Sequence, residues 1–123
     1  MFEVEVRREF SAAHQLRGYN GNCSCLHGHN YGVIALLRTK KLDEVGIAVD
    51  FKKLKAVLDP ILEGYDHTNL SEHPDFRQVN PTSENIARII YRKLAAAFCD
   101  GNVSVVKVSV QESAGSCANY FEE

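Results

Sequence analysis

Two cysteines and two histidines stand at every second position in Cys23-Ser24-Cys25-Leu26-His27-Gly28-His29. Thiolate and imidazole are the ligands that zinc prefers, so the segment reads at first as one complete tetrahedral site. Distance argues against that. A strand rises about 3.3 Å per residue and alternate side chains share a face. His27 and His29 would then lie roughly 6–7 Å apart at Cα, within reach of one ion, whereas Cys23 would lie about 20 Å from His29. Unless the chain folds back sharply at Ser24–Cys25, the motif supplies two ligands and the others come from elsewhere.

His14 is the best external donor. It ends "FSAAH", shares parity with Phe10 and Ala12, and would pair across a hairpin with the motif. Three imidazoles with an open fourth position make a catalytic rather than a structural zinc site. Two further groups add chemistry. Asp66-His67 in "YDHTNL" sets a carboxylate beside an imidazole, which can orient the ring and raise its basicity, and a cysteine would complete a Cys–His–Asp set. In Val103–Glu112 the even positions run Ser104, Val106, Val108, Val110, Glu112, so an apolar row ends in a carboxylate. Such a group is costly unless paired, and it suits the guanidine-like edge of a pterin or guanine. Each part alone also has an ordinary explanation: a core histidine, an Asx turn with a solvated ring, a glutamate tilting into water. Cys99 and Cys117 read as small buried apolar residues, and His73 as solvated.

These residues need elements to position them. Phe2, Val4, Val6 and Phe10 alternate with charged residues, Arg8 excepted, and predict a half-buried strand; "NYGVIALLRT" predicts a second. The Gly- and Asn-rich stretch 15–24 between them reads as a loop. Asp50 is a candidate N-cap for a helix with Phe51, Leu54, Leu58, Ile61 and Leu62 on one stripe, Gly64 as C-cap and Pro60 as a kink or early stop. After a loop from Tyr65 to Pro81, Thr82 or Ser83 caps a second helix with Ile86, Ile89, Ile90, Leu94 and Phe98 inward. The strand "VSVVKVSVQE" and a shorter one near "CANYF" finish the chain. The order β-β-α-α-β-β lacks βαβ alternation and predicts an α+β fold: a four-stranded antiparallel sheet with both helices on one face.

Composition bounds the function. The chain of 123 residues supports a single domain over 1–123. A net charge of −2 with scattered basic residues gives no case for nucleic acid, and no apolar run approaches the roughly 20 residues of a membrane span. The charged, alternating start is not a signal peptide, so the expectation is cytoplasmic, with the four cysteines as thiols, catalytic groups or ligands rather than disulfides.

"FSAAH", Cys23-x3-"HGH", "DFKKLK", "YDH", "NPTSEN" and "VQES" occur in order from Phe10 into the final strands. Together they resemble the 6-pyruvoyl-tetrahydropterin synthase superfamily. The three-residue spacing from Cys23 to the first motif histidine is most like the bacterial 6-carboxy-5,6,7,8-tetrahydropterin synthase branch of queuosine (7-deazaguanine) biosynthesis. The resemblance implies a tunnelling fold that assembles as trimers closing a barrel and stacking into hexamers, with active sites between subunits. It implies zinc on His14, His27 and His29, catalysis by Cys23, Asp66 and His67, a pterin anchored by Glu112, and Thr82, Ser83 and Glu84 lining the pterin pocket. The implied reaction turns 7,8-dihydroneopterin triphosphate into 6-carboxytetrahydropterin, acetaldehyde and triphosphate. Two alternatives are a sister enzyme that only eliminates triphosphate, giving 6-pyruvoyltetrahydropterin, and a non-catalytic Cys2His2 module built from Cys23, Cys25, His27 and His29. Cys25 has no counterpart required by the family pattern; an alternative thiol, a fourth ligand and an inert side chain are all open to it.

Overall fold

The computed structural model describes residues 1–21 and 24–123, so Asn22 and Cys23 stand outside the account that follows. The described elements are β1 (Phe2–His14), β2 (His27–Thr39), α1 (Phe51–Glu63), β3 (Thr68–Asn69), α2 (Ser83–Ala97), β4 (Val103–Ser113) and β5 (Ser116–Tyr120). β1, β2, β4 and β5 form the expected antiparallel sheet in that spatial order. The sheet is nonetheless mixed and five-stranded, because β3 pairs parallel with Ala12 and Ala13 at the free edge of β1. A two-residue strand leaves no periodic pattern to read, and it exists only because the loop after α1 passes that edge.

Alternation decides which face is buried. The even positions Val6, Phe10, Ala12 and His14 of β1 face inward with Tyr31, Val33, Ala35 and Leu37 of β2. Against this face α1 brings Leu54, Leu58 and Leu62, and α2 brings Ile86, Ile90 and Leu94. Phe51, assigned to the inward stripe, is exposed instead, since it opens the helix at its first residue. Asp50 caps α1 by accepting from Lys52 N at 2.9 Å, and Thr82 caps α2 by accepting from Asn85 N at 3.1 Å. Pro60 does not stop α1, which runs on to Glu63. Gly64 is the C-cap but keeps right-handed dihedrals, so its special freedom is unused. Arg8, out of step with the alternation, reaches Asp59 of α1 through two bonds of 2.9 and 3.1 Å and so fastens helix to sheet.

The pairing of β4 with β2 is interrupted by a bulge. Leu36 pairs with Lys107 but Leu37 with Val105, so Val106 is an extra residue and parity changes there. Val105 faces the core on one side of this bulge, and Val108 and Val110 on the other. Two cysteines depart from expectation: Cys99, just beyond the end of α2, and Cys117, on the short terminal strand, are exposed, as is Cys25.

Leu58 is fully buried between α1 and the sheet. Leu58→Ala should lower unfolding free energy by about 2–5 kcal/mol, the range for leucine truncation in a close-packed core, measured by urea denaturation.

Candidate metal centre

The register pairs His14 with His27 and Ala12 with His29 at one end of the hairpin, all with inward parity. Glu112 joins them from β4. Gln111 pairs with Cys117 and Ser113 with Ser116, which makes Glu112 the extra residue of a second bulge, and a bulge re-aims its side chain. One ligand atom from each of His14, His27, His29 and Glu112 falls within 4.8 Å of the others. The carboxylate is therefore part of this group, and not only the end of an apolar row.

Hydrogen bonds behind the rings set which nitrogen faces the centre. His14 Nδ1 donates to the Pro81 carbonyl at 2.7 Å, with the Tyr31 hydroxyl 3.1 Å away, and His27 Nδ1 donates to the Cys25 carbonyl at 2.7 Å. With both Nδ1 atoms protonated, the neutral rings present Nε2 lone pairs, and those of His14 and His27 stand 2.9 Å apart. Two lone pairs at that distance repel unless a proton or cation lies between them. Among the described residues His29 Nε2 is buried without a hydrogen-bond partner, although Glu112 Oε1 lies 2.7 Å from it. Burial lowers the His14 pKa below 6.5, and the neighbouring imidazoles of His27 and His29 add to this against the opposing pull of the Pro81 carbonyl and Glu112. Convergent imidazoles, two of them fixed through Nδ1 to carbonyls, suit a zinc-type ion. The residues present fit a metal ion.

Cys25 is not a member of the group, so a Cys2His2 site drawing on its thiol is not formed. Its contribution is its carbonyl, which orients His27. Cys23, the expected thiol, lies outside the described residues. Asp66 and His67 pair with each other, Oδ2 to Nδ1 at 2.9 Å, but stand apart from the four metal-type ligands. Asp66 Oδ1 accepts from Ser11 N at 2.9 Å and His67 N donates to Ser11 O at 2.6 Å, so the pair is stitched to the edge of β1. His67 has φ of 57°, and it is the one non-glycine residue with positive φ among those described. Its ring is 83% exposed, beside a cleft of about 530 Å³ that Ser11, Gly28, Asn30 and Asn69 also line. Gly28 leaves that face bare, with only the Ala12 carbonyl, 3.6 Å away, near where a Cβ would be. Of the "PTSE" residues, Thr82 is occupied as a cap, Ser83 Oγ is buried without a hydrogen-bond partner among the described residues, and Glu84 is exposed.

His73 is not solvated. Its Nδ1 accepts from Asp75 N at 3.0 Å and its ring packs edge-on against Tyr65, the centroids 5.0 Å apart. The orienting groups Pro81 and Tyr31 were not legible as such in the sequence. Tyr31 carries a signal in retrospect, a phenol on the inward parity two residues after His29.

Fold and centre together define an α+β protein whose sheet carries a histidine-rich group suited to a metal ion. The sequence matches the 6-pyruvoyl tetrahydropterin synthase profile over residues 3–123, and the chain belongs to that family. It is similar to a 6-carboxy-5,6,7,8-tetrahydropterin synthase of Synechocystis, with 38% identity over 98% of this chain and 94% of the relative. A second enzyme of that name, from Bacillus subtilis, is 35% identical over 97% of this chain and 84% of its own. Among solved structures, Caenorhabditis elegans 6-pyruvoyl tetrahydropterin synthase superposes with a TM-score of 0.86 at 29% identity, covering 99% of this chain and 96% of that one.

Two expectations follow. Zinc added to metal-free protein at 100 times its Kd should stabilise it by about 2.7 kcal/mol, read as a raised thermal midpoint, and His27→Ala should abolish the shift. Asp66 titrates below its ordinary 3.8, chiefly because Ser11 N–H donates to it and also through His67. Its stabilisation is therefore complete above pH 3.8 and lost as pH falls through the lowered value. In denaturation between pH 3 and 6, Asp66→Asn should flatten the acid limb relative to wild type.

Proposed function

We propose that this chain is a zinc-dependent lyase that converts 7,8-dihydroneopterin triphosphate and water to 6-carboxy-5,6,7,8-tetrahydropterin, acetaldehyde and triphosphate, and that it serves queuosine biosynthesis in the cytoplasm. The observation that carries the reading is the convergence of His14, His27 and His29, two of them fixed through Nδ1 to carbonyls, in a chain whose relatives bear that enzyme's name. His14, His27 and His29 hold the ion. When bound, zinc supplies Lewis acidity toward the side-chain hydroxyls of the substrate.

The remaining roles fall to the protein. Cys23, as a thiolate favoured beside a cation, removes a side-chain proton. His67, oriented by Asp66, shuttles a proton as triphosphate leaves and the carbon–carbon bond breaks. Glu112 turns from His29 to accept the amino and ring N–H groups of the pterin, an edge a carboxylate binds through two parallel bonds. The Ser83 hydroxyl, without a hydrogen-bond partner among the described residues, serves the pterin pocket, and Glu84 and Thr82 border it.

Asp66 and His67 stand apart from the metal group in one protomer, and His67 is turned outward. This supports a homo-oligomer, trimer-based and hexameric, in which the pair of one subunit completes the site of another. The edge of β1 before Ser11 and the edge of β5 are the surfaces through which such sheets would join.

Incubating the zinc-loaded protein with 7,8-dihydroneopterin triphosphate should yield a pterin with the mass of the carboxy product, and acetaldehyde. The 6-pyruvoyl product without acetaldehyde would instead assign the sister activity, which the fold of the nematode enzyme also accommodates. Cys23→Ala should keep zinc and lose about 10²–10⁴-fold in turnover, while His27→Ala should lose both. Undiminished turnover by Cys23→Ala would remove the cysteine from the mechanism.

A further inference from the structure

Tyr65 immediately precedes the Asp66–His67 pair and is wholly buried. Its ring lies among Phe10, Phe76 and His73, with centroids 5.7, 5.7 and 5.0 Å away. A leucine or phenylalanine would satisfy that packing. A buried hydroxyl costs stability unless it is bonded, and this one is: it donates to Asp75 Oδ2 at 2.7 Å. The same carboxylate oxygen receives Lys93 Nζ of α2 at 2.6 Å, and Lys93 also lies 5.7 Å from the centre of the Tyr65 ring. Asp75 is itself steadied by its own N–H, which donates to His73 Nδ1.

The backbone of Tyr65 is held as firmly as its side chain. Its carbonyl accepts from Thr68 Oγ1 at 2.7 Å and from Thr68 N at 3.3 Å, spanning the two residues of the pair. Between these points His67 adopts the left-handed conformation, which is unfavourable for a non-glycine residue and persists only where the surroundings over-determine it.

We propose that Tyr65, tied through Asp75 to Lys93 of α2, is a positioning residue that holds the Asp66–His67 pair in its left-handed setting at the edge of β1. The tie joins the segment between α1 and α2 to helix α2 at its middle, while Pro81, at its far end, orients His14. One segment therefore aligns both the proton-transfer pair and a metal ligand. The role assigned to His67 rests on the lyase reading; the geometry of the tie does not.

The test uses zinc-loaded full-length Tyr65→Phe, Asp75→Ala and the double variant. In Tyr65→Phe, kcat should fall about 10- to 100-fold, the scale for a misplaced catalytic group, with KM and bound zinc unchanged. Amide hydrogen exchange at His67 should quicken about tenfold, as for loss of one charge-assisted hydrogen bond, while the β1–β2 ladder keeps its protection. Asp75→Ala should reproduce both effects, and the double variant should add little, because the two side chains act as one unit. Should Tyr65→Phe fail to fold, Asp75→Ala, which removes a half-buried side chain from outside the core, carries the same measurements. Unchanged kcat and unchanged His67 exchange in the folded variants would overturn the proposal. Absence of turnover by the wild-type protein would sink the lyase reading alone, and His67 exchange would still decide the positioning role.

Discussion

The register of β1 against β2 runs unbroken from Phe2 opposite Thr39 to His14 opposite His27, and the chemistry of the molecule hangs from its last three pairs. Val6, Phe10 and Ala12 on one strand and Tyr31, Val33 and Ala35 on the other fix it, because a slip of β2 by one residue would turn Tyr31, Val33 and Ala35 to solvent. The same slip would carry His27 and His29 to the opposite face from His14. Metal-ligand geometry is thus enforced by apolar burial further along the same strands. The hydrophobic core needs no histidine, but the histidines need the core.

Around that register the centre solves an electrostatic problem. Three imidazoles and a carboxylate converge on one point, and burial favours the neutral form of His14. Carbonyls of Pro81 and Cys25 then choose the tautomer, directing lone pairs inward. Without a cation those lone pairs oppose one another, so the arrangement is strained in the direction that a metal relieves. Asp66, in contrast, sits on an exposed edge, where hydrogen bonding to β1 rather than enclosure favours its carboxylate form.

Period-2 patterning made the hairpin legible, and with it the placing of His14 opposite His27. The helices were legible from their leucine and isoleucine stripes and from Asp50 and Thr82. What escaped the pattern shares one cause: it depends on segments that have no period. β3 is too short to alternate, and the parity change at Val106 is invisible in a run of valines and serines. The cysteines misled because small apolar residues signal burial only inside an element, whereas Cys99 and Cys117 sit at element ends. His73 looked solvated beside Pro74, yet the proline-led turn after it gives its ring a backbone N–H to accept from. Cys25 carried no legible role because its part is played by a carbonyl, which every residue possesses.

Glu112 is the extra residue of a bulge, outside the ladder that joins β4 to its neighbours. Residues within the ladder are gripped on both sides by main-chain hydrogen bonds, and reorienting one of them would tear the sheet. A bulged residue carries no such obligation. The carboxylate can leave His29 for another partner while Gln111 and Ser113 keep their pairings, so exchange of partners is confined to a single side chain. The frame can thereby stay fixed while the carboxylate beside His29 changes partner.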